Sequence, residues 1–356
     1  MPQHTLLHAL KEIFSDGSSN LRRKVVGIYG LLIVFNILAW GWAFSAFHGH
    51  PVLLGTALMA YGFGLRHAVD ADHIAAIDNV TRKLMQEGKR PVGIGLMFSL
   101  GHSTIVLVMT AAVAATEMAL KNHFDAFMSF GDVAGTLISS LFLLAIALMN
   151  LVSLIGIVRA FRRVRAGEPY REEEFDMLIG KGGLLARLFR PMFRLISKSW
   201  HMYPLGVLFG LGFDTATEIG LMGISASSAA QGMSVWSIMV FPVLFTAGMT
   251  LVDTTDSIMM LGAYGWAFIK PIRKIYYNMT ITTLSILVAL VVGGIEGLGL
   301  IGDKLEMKGV FWDAIGSLND NFGTIGYAII GLFILSWVLS TVAYKWLRLD
   351  AIEVNR

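Results

Sequence analysis

The sequence predicts an all-α membrane protein of eight transmembrane helices with both termini in the cytoplasm, and three observations carry that prediction. Of the 356 residues, 55% are hydrophobic and only 15% are charged, which gives a mean hydropathy of +0.65. Apolar stretches of about twenty residues or more, the length that crosses a bilayer, recur at 25–46, 52–77, 92–116, 133–158, 203–229, 235–265, 277–301 and 324–346. With the N-terminus inside, 24 of the 28 Lys and Arg fall in cytoplasmic segments; Lys121, Lys304 and Lys308 fall outside, and Arg66 lies within a span. A seven- or nine-span count scrambles this asymmetry, which is the positive-inside pattern of inner-membrane proteins.

Taken in order, residues 1–24 form a polar, amphipathic start that ends in Arg22, Arg23 and Lys24. The apolar run after it is long enough to span and ends in no small-residue cleavage site, so it reads as a helix rather than a signal peptide. Residues 1–158 hold this segment and helices 1–4. Residues 159–202 form a basic cytoplasmic loop with an acidic patch at Glu172, Glu173 and Glu174, where Arg187, Arg190 and Arg194 are spaced like one face of a surface helix. Residues 203–356 hold helices 5–8 and a short cytoplasmic tail. Trp40, Trp42, Trp200, Trp236, Trp312 and Trp346 fall near span ends, as an aromatic belt does.

The absence of cysteine removes disulfides, thiolate metal sites and thiol catalysis. The 19 methionines are scattered and read as packing material. The net charge of +3 is sorted by membrane side and does not point to nucleic acid.

Polar residues inside the spans are where function is expected. The second span carries Arg66, His67, Asp70, Asp72 and His73; the third carries His102. The fifth carries Asp214, Thr215, Thr217 and Glu218, and the sixth Asp253, Thr254, Thr255 and Asp256. Each cluster lies on the order of 15–30 Å from its membrane entry at 1.5 Å per residue, so the clusters can meet in mid-bilayer. Six carboxylates facing lipid at roughly 2.5–3.5 kcal/mol each would cost more than a typical fold's net stability. They are therefore expected to face one another, water or a cation. Asp70, at i+4, is the nearest partner for Arg66, and the remaining negative charge suits a divalent cation.

Three imidazoles with carboxylates and no thiolate favour a borderline first-row ion such as Ni²⁺ or Co²⁺ over Mg²⁺, Ca²⁺ or Cu(I); Mn²⁺, Fe²⁺ and Zn²⁺ stay open on ligand type. At about 100° per residue, His67, Asp70 and His73 fan over one face of a helix while Asp72 points elsewhere. Either Asp72 serves a neighbouring contact or the helix is broken near Gly62 and Gly64. Asp214 and Glu218 share a face, as do Asp253 and Asp256. The flanking threonines can orient these carboxylates as hydrogen-bond donors.

His67, Asp72 and His73 within Arg66-His67-Ala68-Val69-Asp70-Ala71-Asp72-His73-Ile74 resemble the first signature of the nickel/cobalt transporter (NiCoT) family. Leu211-Gly212-Phe213-Asp214-Thr215-Ala216-Thr217-Glu218, the Asp253–Asp256 segment and Ser99-Leu100-Gly101-His102-Ser103-Thr104 fit the same pattern. The resemblance covers essentially the whole chain. It implies a single-chain secondary permease that takes up Ni²⁺ or Co²⁺ without an ATPase subunit, with the metal as substrate and no resident cofactor. It also implies a metal site at His67, Asp72 and His73, extended by His102, with Asp214, Glu218, Asp253 and Asp256 along the pathway; Arg66, Asp70, Thr215 and Thr254, read from charge pairing and spacing, support it. Metal preference varies within that family.

His48, His50, His123, His201, His4 and His8 lie in loops or at chain ends and read as inert. Gly95–Thr104 resembles Gly206–Thr215, and Gly64–Ile74 resembles Gly248–Ile258, although glycine-rich helices imitate one another easily. An intramembrane metallohydrolase lacks its His-Glu-x-x-His motif, and an ATP-driven pump lacks its phosphate loop. An exporter or channel built on the same ligands is the alternative, because ligands alone do not give direction.

Overall fold

The computed structural model describes residues 15–17, 20–115, 121–165, 196–212, 215–267 and 271–346. The expected amphipathic start, the loop helix with Arg187, Arg190 and Arg194, and Asp214 all lie outside these residues, wholly or for the most part. Every regular element is helical among the described residues. Besides the short turns of helix Ser199–His201 and Val235–Ile238, they are α1 (Leu21–Ala46), α2 (Pro51–His67), α3 (Ala71–Gln86), α4 (Ile94–Ala115), α5 (Lys121–Arg165), α6 (Met202–Phe209), α7 (Ala216–Ala230), α8 (Val240–Ala267), α9 (Pro271–Lys304), α10 (Val310–Asp320) and α11 (Phe322–Trp346).

Five described helices are long and apolar enough to cross a membrane, and seven spans result if two bent pairs each count once: α2 with α3, bent by 50°, and α10 with the first part of α11, bent by 74°. The segment expected as one span at 203–229 is instead two helices, α6 ending at Phe209 and α7 starting at Ala216. The bend in the second span comes after Gly62 and Gly64, at Ala68–Asp70, where Asp70 takes an extended conformation and starts a new helix. Gly64 stays helical because it is needed for packing: a Cβ there would collide with the Phe245 carbonyl.

Helix α8 is the centre of the bundle and packs on α1, α2, α3 and α4; α4 also packs on α6, and α9 on α5. Glycines set the closest approaches. A side chain at Gly101 would strike the Tyr203 carbonyl, at Gly206 the Phe98 carbonyl, and at Gly135 the backbone of Gly212. Helix α11 reaches the α2–α3 bend in the same way, since Cβ atoms on Gly323 and Gly326 would meet the Arg66 guanidinium and the Val69 carbonyl.

Charge near the span ends is not always solvated: α3 runs on to Gln86, and Arg82 near its end is 1% exposed. It donates to Thr282 Oγ1 at 3.0 Å and to Asn79 Oδ1 at 3.2 Å. Its neighbour Asp78 accepts from Ser285 Oγ at 2.8 Å and from the Tyr264 hydroxyl. Asn150 on α5 donates to Asn79 Oδ1 at 2.6 Å, so this buried network ties α3 to α5, α8 and α9.

Candidate metal centre

The two helix breaks bring the polar motifs together. Asp70 and Thr215 are the residues before α3 and α7, and both occupy N-cap positions in extended conformation. Neither side chain makes the usual cap hydrogen bond, a bond worth roughly 0.5–2 kcal/mol elsewhere. Both are turned to the interior instead. Asp72 and Glu218 then fall in the first turns of α3 and α7, where the positive end of the helix dipole stabilises a carboxylate.

Three imidazoles face one another there. The ring centroids of His67 and His73 are 4.7 Å apart, those of His67 and His102 4.8 Å, and those of His73 and His102 5.0 Å. One nitrogen from each lies within 4.8 Å of the others, and all three residues are buried.

Carboxylates fix which nitrogens are available. His67 Nδ1 stands 2.9 Å from Asp70 Oδ2, with the hydroxyls of Thr217 and Thr215 at 3.2 and 3.3 Å. His73 Nδ1 stands 3.3 Å from Asp253 Oδ2. An Nδ1–H that donates to a carboxylate leaves Nε2 with its lone pair, the form that ligates a metal. His73 Nε2 is indeed buried with no hydrogen-bond partner. His67 Nε2 meets His102 Nε2 at 3.0 Å, and His102 Nε2 also lies 2.9 Å from Glu218 Oε1. Two adjacent ligands about 2.1 Å from one octahedral ion are separated by about this distance. Thr215 Oγ1 donates to Glu218 Oε2 at 3.0 Å and holds that carboxylate in place.

The remaining residues singled out in the sequence fall around this core. Arg66 pairs with Asp70 as its i+4 spacing anticipated. Asp72 Oδ1 is buried without a partner, and Asp72 lines one small cavity with His67, His102 and Glu218. Because the helix breaks at 68–70, Asp72 reaches the space that an unbroken helix would have denied it. Asp256, three residues along α8 from Asp253, keeps Oδ2 buried and unpartnered, and so does Thr254 its hydroxyl. Phe98 and Phe245 close the cluster, with ring centroids 4.8 Å from His73 and 5.5 Å from His67.

Sequence reasoning passed over Glu296, Ser139 and Thr136, which line the same cavity from α9 and α5. Glu296 carried the signal that identified the other acids, a carboxylate deep in an apolar span, but it stands alone there without a motif around it.

Comparison with known proteins agrees with this geometry. The family model described as high-affinity nickel-transport protein matches residues 53–343. The chain is 61% identical to the high-affinity nickel transport protein of Cupriavidus necator, over 98% of this chain and 100% of that one. It is 43% identical to the nickel transporter NixA of Staphylococcus aureus, over 93% and 97% of the two chains. It is 36% identical to the cobalt transport protein NhlF of Rhodococcus rhodochrous, over 89% and 91%. No solved structure matches. With several membrane-length helices folded around a buried imidazole cluster and a family match over most of its length, the chain is a multi-pass membrane transporter and not an enzyme, and it belongs to the high-affinity nickel-transport protein family.

Proposed function

We propose that the chain takes up Ni²⁺ or Co²⁺ into the cytoplasm across the inner membrane, as an eight-span protein with both termini inside. The observation that carries this reading is the buried set of three imidazoles, with His73 Nε2 unpartnered and His67 Nε2 facing His102 Nε2, surrounded by Asp70, Asp72, Glu218 and Asp253. The nickel and cobalt transport named for the relatives supports the choice of metal.

The ion is the substrate. His67, Asp72, His73 and His102 replace its water, while Asp70 and Asp253 hold the imidazoles by their Nδ1 atoms. Four carboxylates against one guanidinium leave an excess of negative charge that a divalent cation relieves, so the empty site favours recapture of a doubly charged ion. The unpartnered Asp256, further along α8, is the next carboxylate on the way inward. Inside-negative potential alone supplies roughly 4–5 kcal/mol to a divalent ion per 100 mV, so no nucleotide-hydrolysing subunit is required.

The test is accumulation of radioactive nickel and cobalt at nanomolar concentration by cells expressing the chain, beside cells expressing His67→Ala or His73→Ala at equal membrane level. Uptake that disappears in both variants supports the assignment. High-affinity uptake retained in either one removes that histidine from the site, and efflux in place of uptake reverses the direction.

A further inference from the structure

The cavity shared by His67, Asp72, His102 and Glu218 has a far wall made of Thr136, Ser139 and Glu296, and its volume of about 10 Å³ is the space of a single water. Glu296 is 2% exposed and accepts a hydrogen bond from Ser139 Oγ at 2.5 Å. A second cavity, of about 600 Å³, opens between the end of α9 and α10, and its wall carries Asp303, Glu306, Asp313 and Asp320 with Lys308. Thr136 lines both cavities. Its hydroxyl is buried and has no hydrogen-bond partner, and the residue is 6% exposed. A buried hydroxyl left without a partner is costly, which points to a guest that supplies the missing interaction.

We propose that the acidic cavity is the vestibule through which the hydrated divalent cation enters, and that Glu296, with the hydroxyls of Ser139 and Thr136, is a second cation site where the ion pauses before the histidines. This rests on the uptake reading above. The chemistry is graded along the route. Exposed carboxylates in a concave mouth raise the local cation concentration. One carboxylate and two hydroxyls are hard oxygen donors, suited to an ion that still keeps water. The imidazoles beyond them select the borderline metal and complete its dehydration. A purely structural Glu296–Ser139 hydrogen bond between α9 and α5 would explain neither the unpartnered Thr136 hydroxyl nor its place on the walls of both cavities.

The chain contains no cysteine, so a single engineered thiol reports without background. Cells expressing full-length Thr136→Cys are treated from outside with a membrane-impermeant, cationic thiosulfonate reagent, and nickel uptake is then measured. Uptake should fall roughly tenfold or more, Ni²⁺ added beforehand should slow the modification, and Leu332→Cys, on the exposed face of α11, should not respond.

In parallel, Glu296→Gln should raise the KM for nickel by roughly tenfold or more with little change in maximal rate, and Glu296→Asp should recover most of the loss. A Thr136→Cys chain that is inert to the external reagent, or that is modified with uptake intact, overturns the proposal. So does reaction only from the cytoplasmic side, or a wild-type KM in Glu296→Gln. If Glu296→Gln fails to reach the membrane, the Thr136→Cys arm decides, because its Glu296 is intact. Uptake that survives His73→Ala would count against the histidine site and leaves the result at Thr136 standing on its own.

Discussion

Gly64 and Gly248 pack reciprocally across α2 and α8: a Cβ on Gly64 would collide with the carbonyl of Phe245, and one on Gly248 would stand 2.7 Å from the carbonyl of Tyr61. Each glycine thus lies over the residue three before the other. The contact holds α2 against the central helix just one turn before His67. A methyl group on Gly64 meets only the backbone of Phe245, and backbone does not give way as a flexible side chain does.

Gly64→Ala should therefore destabilise the protein by roughly 1–3 kcal/mol or more. Gly62→Ala, two residues earlier and with open space around it, should be neutral or slightly stabilising, because alanine favours the helix. Thermal unfolding in detergent, followed by light scattering, checks the pair; equal midpoints would show that the packing at Gly64 is not the constraint.

Asp70→Asn keeps a side chain of similar shape but removes the charge that pairs with Arg66 and orients His67 Nδ1. Loss of such an outer hydrogen bond typically weakens metal binding by about 10–100-fold. Equilibrium nickel binding to purified protein should show a weakening in that range without loss of helical circular dichroism. An unchanged affinity would mean that His67 is oriented by Thr215 and Thr217 alone.

Much of this was legible in the sequence, and the parts that were not share a physical cause. His67, His73, His102, Glu218 and Asp253 announced themselves because an ionisable residue in an apolar run has few explanations. The Arg66–Asp70 pair followed from i, i+4 spacing. The helix breaks were harder to place. A glycine is a cue to a break, yet Gly62 and Gly64 remain helical and the chain turns at Asp70, because tertiary packing decides which weak point is used. The burial of Arg82 was not legible either: a charge near a span end reads as solvated, while Thr282 and Asn79, distant or unremarkable in sequence, accept hydrogen bonds from its guanidinium inside the fold. Glu296 and Thr136 are isolated residues whose importance comes only from the cavity they share.

The buried network around Asp78 allows a third test. Tyr264→Phe removes one of the two hydroxyls that donate to this carboxylate, and a hydrogen bond to a charged group is worth roughly 1.5–3 kcal/mol. The variant should unfold at lower temperature while nickel affinity stays within about twofold, since Tyr264 does not line the histidine cavity. A large change in affinity with unaltered stability would move Asp78 from scaffold to transport path.

Helix α11 seats Gly323 against the Arg66 guanidinium and Gly326 against the Val69 carbonyl, and this has a consequence for biosynthesis. The ribosome delivers every residue of the histidine cluster long before it delivers α11, and chains fold and insert from the N-terminal side first. A nascent chain therefore holds the whole histidine cluster while the bend beside it still lacks its outer support. The last helix to be made is thus the one that closes over the bend beside the histidine cluster.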